Sequence, residues 1–176
     1  MTFLQARNSI VSALEKHIGC PVILSEQIAT RPDFPYCYYS VLTPRVSNHA
    51  FGLQEVWGTA DGFLLIRSEP VTATMSFTFC GKNRDTAEGY IFGEDEAMAL
   101  AEKAHGFFLL DAHCLYTDVG EIVIKSVGSV ANRTGFDIEE YIRRYGFDVK
   151  FAYIRTDEMT TTIIETPGNP RGYPHS

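Results

Sequence analysis

Two stretches of this chain alternate strictly, and they constrain its fold more than anything else in it. In "VTATMSFTF", Val71, Ala73, Met75, Phe77 and Phe79 alternate with Thr72, Thr74, Ser76 and Thr78. In "YGFDVKFAY", Tyr145, Phe147, Val149, Phe151 and Tyr153 form the apolar set. A period of two places one set on each face of a strand. Each stretch therefore predicts a strand with one buried, aromatic-rich face and one face turned to solvent or a partner. Those apolar faces need another layer to cover them.

Two helices are predicted to supply it. Thr2 with Gln5 forms a capping box, and Leu4, Ile10, Val11, Leu14 and Ile18 make an apolar stripe that ends at Gly19. The second helix begins near Glu94, with Asp95 and Glu96 at the positive end of its dipole. Its inner face is Ala97, Leu100, Ala101, Ala104, Phe107 and Phe108. Strands are predicted over 21–27, 36–46, 63–81, 120–130 and 143–155. The strand 120–130 is placed centrally because it is so apolar. A turn over 156–159 and a last strand over 160–166 come next, and 82–93 reads as a connector. The expected fold is α+β, with two helices on one face of a largely antiparallel mixed sheet. A length of 176 residues suits one domain, taken as 1–166, with a tongue-like excursion over 47–62 and an extended arm over 167–176.

Charge narrows the function classes. The chain has 15 basic and 22 acidic residues and a net charge of −7, so it offers no cluster for phosphates to bind. No apolar run is long enough to span a bilayer, and the first residues do not read as a signal peptide. Cys20, Cys37, Cys80 and Cys114 are widely spaced and read as reduced thiols. Asn132-Arg133-Thr134 is then a coincidental glycosylation sequon.

Catalytic signals are sparse. There is no phosphate-cradling glycine motif, no paired metal-ligand histidines and no nucleophile elbow. His105, Asp111, His113 and Cys114 converge in sequence and define the alternative reading, a small enzyme or ligand-binding protein. The acidic pairs Asp95–Glu96, Glu139–Glu140 and Asp157–Glu158 read as solvated helix starts and turns. The tongue carries Phe51, Leu53 and Trp57. It reads as a contact surface, as a lid, or as a hairpin packed on its own core.

Three stretches carry a resemblance: "IVSALEKHIGCPVILSEQIATRPDFPYCYYSV", "DEAMALAEKAHGFFL" and "VGSVANRTGFDIEEYIRRYGFDVKF". The most specific parts are Asn132-Arg133-Thr134, Glu140-Tyr141 and the run from Arg143 to Val149. From about Ile10 to Ile164 the chain resembles the neck terminator proteins of tailed bacteriophages, which are similar to tail terminator and tail completion proteins. It departs over 47–69, which is longer than the group suggests. The resemblance implies a virion structural protein without enzymatic activity or cofactors. It implies a ring, commonly sixfold, at the head-proximal end of the tail. The implied partners are further copies, the tail tube protein and head-side connector proteins, with sheath or collar as further candidates. DNA would pass through the lumen without specific binding, and no membrane is involved. Candidate interface residues are Phe51, Leu53, Trp57, Arg143, Arg144 and Tyr173. Arg143 and Arg144 are expected to pair with Asp137, Glu139 or Glu140, in the same subunit or the next. The segment "DIEEYIRR" stays open between a helical turn and an extended edge.

Overall fold

The computed structural model describes residues 1–26, 30–47, 51–59, 62–87, 89–135 and 141–162. Helix α1 spans Phe3–Ile18 and carries the expected capping box, with the Thr2 hydroxyl accepting from the Gln5 N–H. Gly19 closes it in the left-handed region at φ 78°. Its buried stripe is Ala6, Ile10, Leu14 and Ile18. Leu4, expected in that stripe, is instead 56% exposed. Ala6 takes the inward place, because the face three to four residues before Ile10 falls there.

Helix α2 spans Gly93–Leu109. Its buried side is Ala97, Ala101, Ala104, Phe107 and Phe108. A row of alanines lets a helix approach a sheet closely. At its N-terminus the approach is backbone to backbone: a Cβ on Gly93 would meet the Lys82 main chain at 2.6 Å, and one on Gly81 would collide with the Gly93 carbonyl. The Asn83 side chain accepts from the Gly93 N–H at 2.8 Å and so caps the helix from the strand.

The strands are β1 (Val22–Leu24), β2 (Tyr36–Ser47), β3 (Leu53–Thr59), β4 (Gly62–Lys82), β5 (Arg84–Thr86), β6 (Gly89–Ile91), β7 (Cys114–Thr117), β8 (Gly120–Val127), β9 (Ala131–Asn132) and β10 (Ile142–Thr162). The main sheet runs β1-β2-β4-β10-β8-β7, with β3 also on β4 and β9 also on β10. Among the described residues only β1–β2 is parallel. The α+β class therefore holds, with two helices and a large mixed sheet. At its centre β4 and β10, each of 21 residues, pair without a break from Ile142↔Lys82 to Thr162↔Gly62. At ~3.4 Å per residue this ribbon is roughly 70 Å long.

Several expectations are corrected. The turn over 156–159 does not exist, and β10 runs straight through it. Thr156, Asp157, Glu158 and Met159 include no Gly, Pro or Asn to force a reversal, and Asp157 is held by Arg155 and Arg67 along the ribbon. Strand β8 is not central but lies second from an edge, and of its residues only Ile122 is fully buried. The connector over 82–93 contains a small hairpin, β5–β6, tied to α2 by two 2.6 Å bonds from Arg84 to Glu96. Strand β7 was not expected at all.

The alternation is realised as read. Val71, Ala73, Met75, Phe77 and Phe79 join Phe147, Val149, Phe151 and Tyr153 in one buried cluster with α1 and α2 residues. The opposite face is less open than expected, since Ser76 and Thr78 are 8% and 3% exposed. A small second cluster of Tyr36, Cys80 and Ile142 also lies on that face.

Candidate assembly surface

The core-facing row of the β4–β10 ribbon does not end where the helices end. Beyond Val71 and Tyr153 it meets a charged belt. Glu69, only 3% exposed, accepts from Arg45, from Arg67 at 2.8 Å and from Ser47 at 3.0 Å. Arg67 also reaches Asp157 at 3.4 Å, and Arg155 holds Asp157 at 2.8 Å. Burial pushes the Glu69 carboxyl up, but the Ser47 hydroxyl and the two guanidiniums outweigh it and hold it below the usual range. Arg155 does the same, more directly, for Asp157. The belt closes the core with satisfied charge.

Past the belt the ribbon becomes a three-stranded tongue of β3, the first third of β4 and the end of β10. The register is flush, since Leu53–Thr59 pairs with 62–68 and 156–162 pairs with the same residues. One face carries Val56, Leu65, Phe63 and Met159, and the other carries Leu53, Trp57, Leu64 and Ile66. Every residue of β3 is exposed. Phe51, Leu53, Val56, Trp57, Phe63 and Met159 range from 48% to 86% exposed. With whole side chains of this size offering ~150–250 Å², the six present on the order of 700 Å². Divided between the two faces, that is on the order of 350 Å² each, the size of the largest apolar patch on a typical monomer, and the tongue carries one on both sides.

Of the candidate interface residues, Phe51, Leu53 and Trp57 fall in this tongue. Arg143 and Arg144 start β10, at its other end, and point to opposite faces. Arg144 lies beside Cys80 and Tyr36. Tyr173, Asp137, Glu139 and Glu140 lie outside the described residues, as does the arm 167–176. Sequence reading missed Val56, Phe63, Leu65 and Met159. For Phe63 and Leu65 the signal was present in "FLLI", because an unbroken apolar run marks a strand with two apolar faces, and Val56 and Met159 carry no such signal.

The residues of the alternative reading each have a separate partner. His105 meets the Gly128 carbonyl at 3.1 Å, and His113 meets the Leu110 carbonyl at 2.9 Å. Asp111 lies 3.6 Å from His17. Cys114 donates to Glu121 at 2.6 Å, and that carboxylate raises the thiol's pKa. A thiol held protonated in this way is a poor nucleophile. No three His, Cys, Asp or Glu side chains among the described residues are grouped to hold a metal.

The segment most specific in the sequence resemblance resolves into one polar network on the outer face. Arg133 donates to Ser76 at 2.6 Å, to Thr78 at 3.1 Å and to Asp148 at 2.8 Å. Ser76 also donates to Asp148 at 2.7 Å. Gly146 makes room: a Cβ there would lie 3.1 Å from Arg133 Cδ and would collide with the Phe77 carbonyl. Asn132 accepts from the Thr134 N–H at 2.8 Å, and Thr134 accepts from the Arg144 N–H at 3.0 Å. Asn132, Arg133, Thr134, Gly146 and Asp148 thus form one joint, which clamps β9 and residues 133–134 to β10.

Among the described residues no helix is long and apolar enough to cross a membrane. No curated protein matches the chain. A family model described as phage neck terminator protein matches residues 8–170, so that the tongue, the charged belt and the Arg133 joint all lie within the match. The chain therefore belongs to the phage neck terminator protein family, a family of structural proteins of the virion.

Proposed function

We propose that copies of this chain form a ring, hexameric in the commonest arrangement, that ends the tail tube at the neck and joins it to head-side connector proteins. The observation that carries this reading is the tongue. Both of its faces carry exposed apolar side chains, and these lie outside the buried cluster that α1 and α2 cover. We assign these faces, through Phe51, Leu53, Trp57 and Phe63, to docking on the tail tube or the head-side partner. Residues 1–166 act as one unit, and the arm 167–176 with Tyr173 reaches a neighbour. Arg143, close to Tyr141, which is 84% exposed, belongs to a second contact region at the far end of β10. A ring closed by unlike patches needs two such regions per subunit. A net charge of −7 suits a lumen along which DNA passes without sticking.

Native mass measurement of the full chain, alone and with its tail tube protein, tests the reading. A closed ring in either sample is the expected result. Replacing Leu53, Trp57 and Phe63 together with serine is expected to leave the fold intact and weaken tube binding about a hundredfold or more, since buried aromatic anchors dominate such interfaces. A wild-type chain that stays monomeric beside its tube protein, or a triple variant that docks normally, removes the basis of the proposal.

A further inference from the structure

The faces of the tongue leave its two edges to account for. The Met1 ammonium donates to the Ile154 carbonyl at 3.2 Å, which ends the paired part of that edge of β10. From there to Thr162 the edge has no strand partner among the described residues. The outer edge of β3 likewise has none. Hydrogen-bond direction alternates along a strand. The Arg144, Asp148 and Ile154 carbonyls accept bonds on the side away from β4. The same alternation puts the N–H and C=O groups of Thr156, Glu158 and Thr160 on the open edge. On the other side β2 bonds β1 through Cys37 and Tyr39, so its even residues face β4. The shared registers carry that phase into β3, whose open edge presents Gln54, Val56 and Gly58.

Open edges are normally blunted by prolines, lysines, bulges or a covering loop. Neither described edge of the tongue contains a proline or a lysine, and its register is unbroken. The two edges have the same length because they flank the same seven residues of β4. Both β3 and β10 are antiparallel to β4, so they run parallel to each other. Copies related by rotation about an axis along the tongue therefore bring β10 of one beside β3 of the next, pointing the same way. That contact is heterologous, and it closes without a third component.

We propose that the tongues pair edge to edge, β10 of one copy with β3 of the next, through main-chain hydrogen bonds. The occupant of each edge is a second copy of this chain. The closed ring of tongues is then one continuous sheet with no free edge. Its joined apolar faces form the band offered to the axial partner. This mode of contact rests on the ring reading above and specifies its self-interface.

Proline separates edge pairing from face packing. Gln54→Pro and Glu158→Pro each remove an N–H that no strand among the described residues uses, so the monomer keeps its internal ladder. Each is expected to leave the circular dichroism spectrum unchanged and to reduce the ring fraction about tenfold or more at fixed protein concentration. Trp57→Ser, on a face, is expected to leave self-assembly intact while weakening tube binding. Hydrogen exchange on the wild type supplies an arm that needs no variant. The amides of Gln54, Val56, Gly58, Thr156, Glu158 and Thr160 exchange quickly in the monomer and are protected in the ring. Rings that form normally with both prolines, or edge amides that stay unprotected in a ring, overturn edge pairing and leave the ring reading standing. A wild type that never assembles overturns both.

Discussion

Arg133 shows how one side chain can convert a polar sheet face into a buried one. It spreads over Ser76, Thr78 and Asp148, and the space for its stem exists because residue 146 has no side chain. Removing it leaves two nearly buried hydroxyls and a carboxylate without their shared donor. Asp148 and Arg133 keep partial access to water, at 47% and 28%, so the ion-pair part is discounted. Arg133→Ala is expected to destabilise by about 1–2 kcal/mol, read as a lower thermal midpoint. Gly146→Ala is expected to cost more, because its Cβ meets a main-chain carbonyl that cannot step aside. If the alanine at 146 is neutral, the close approach is not what it looks like. Asp148 also sets a pH dependence. Burial raises its pKa, but Ser76 and Arg133 more than reverse that and leave it lowered. A carboxyl lowered on folding adds stability above its unfolded value of about 3.9, and that stability is lost as pH falls through the folded value. Glu69 and Asp157 shift the same way. The melting temperature is therefore expected to drop on acidification below about pH 5. Asp148→Asn should flatten that drop, and an unchanged slope would remove Asp148 from the account.

Among the elements, α2 shows local preference giving way to tertiary contact. Alanine is the better helix former, yet Gly93 starts this helix because it lies against the Lys82 main chain. Gly93→Ala is therefore expected to lower stability by about 2 kcal/mol or more, against a helix propensity gain of under 1 kcal/mol. A stabilised variant in a urea melt would contradict the close packing. The elements that were legible in the sequence are those with a covered face. The capping box, both helices, β2, β4 and the body half of β10 carry period-two or helical patterns because one side is buried. What was not legible is what lacks such a face. Strand β3 is exposed throughout and joins the sheet by main-chain bonds, which leave no mark on residue choice. The outer half of β10 crosses a charged belt, and Thr156-Asp157-Glu158 looked like a turn because acids and threonines favour both turns and ladders. Phe51, Leu53 and Trp57 could be singled out by their apolarity, and Phe63 and Leu65 were marked by the apolar run they share, but placing Val56 and Met159 beside Leu65 required the register. The Arg133–Asp148 pair was hidden for a similar reason, since nothing local joins residues fifteen apart until β9 lies beside β10.

At the scale of the whole molecule, one ribbon serves two regimes. From Val71 to Lys82 it is the spine of a helix-covered body, and from Gly62 to Ser68 it is a bare three-stranded arm. The buried cluster draws no residue from β3 or from β4 before Val71. The body should therefore fold without the tongue. Ser47 and Val71 are cross-strand partners, so an Asn-Gly turn can join them directly once 48–70 are removed. Ending the same chain at Arg155 removes the outer third of β10. The shortened protein keeps α1, α2 and the full buried cluster. It loses Glu69, the partner of Arg45, and Asp157, the partner of Arg155, which leaves both guanidiniums at the surface, where an unpaired charge costs little. The expected result is a cooperative thermal transition within about 10 °C of the full chain, since the deleted part buries little apolar surface. By native mass the shortened protein is expected to be a monomer in the presence of the tail tube protein. A chain that fails to fold would show that the charged belt and tongue belong to the same cooperative unit as the body. A chain that folds and still assembles would move the self-interface off the tongue and onto the body, where Tyr141 and Arg143 are the next residues to test.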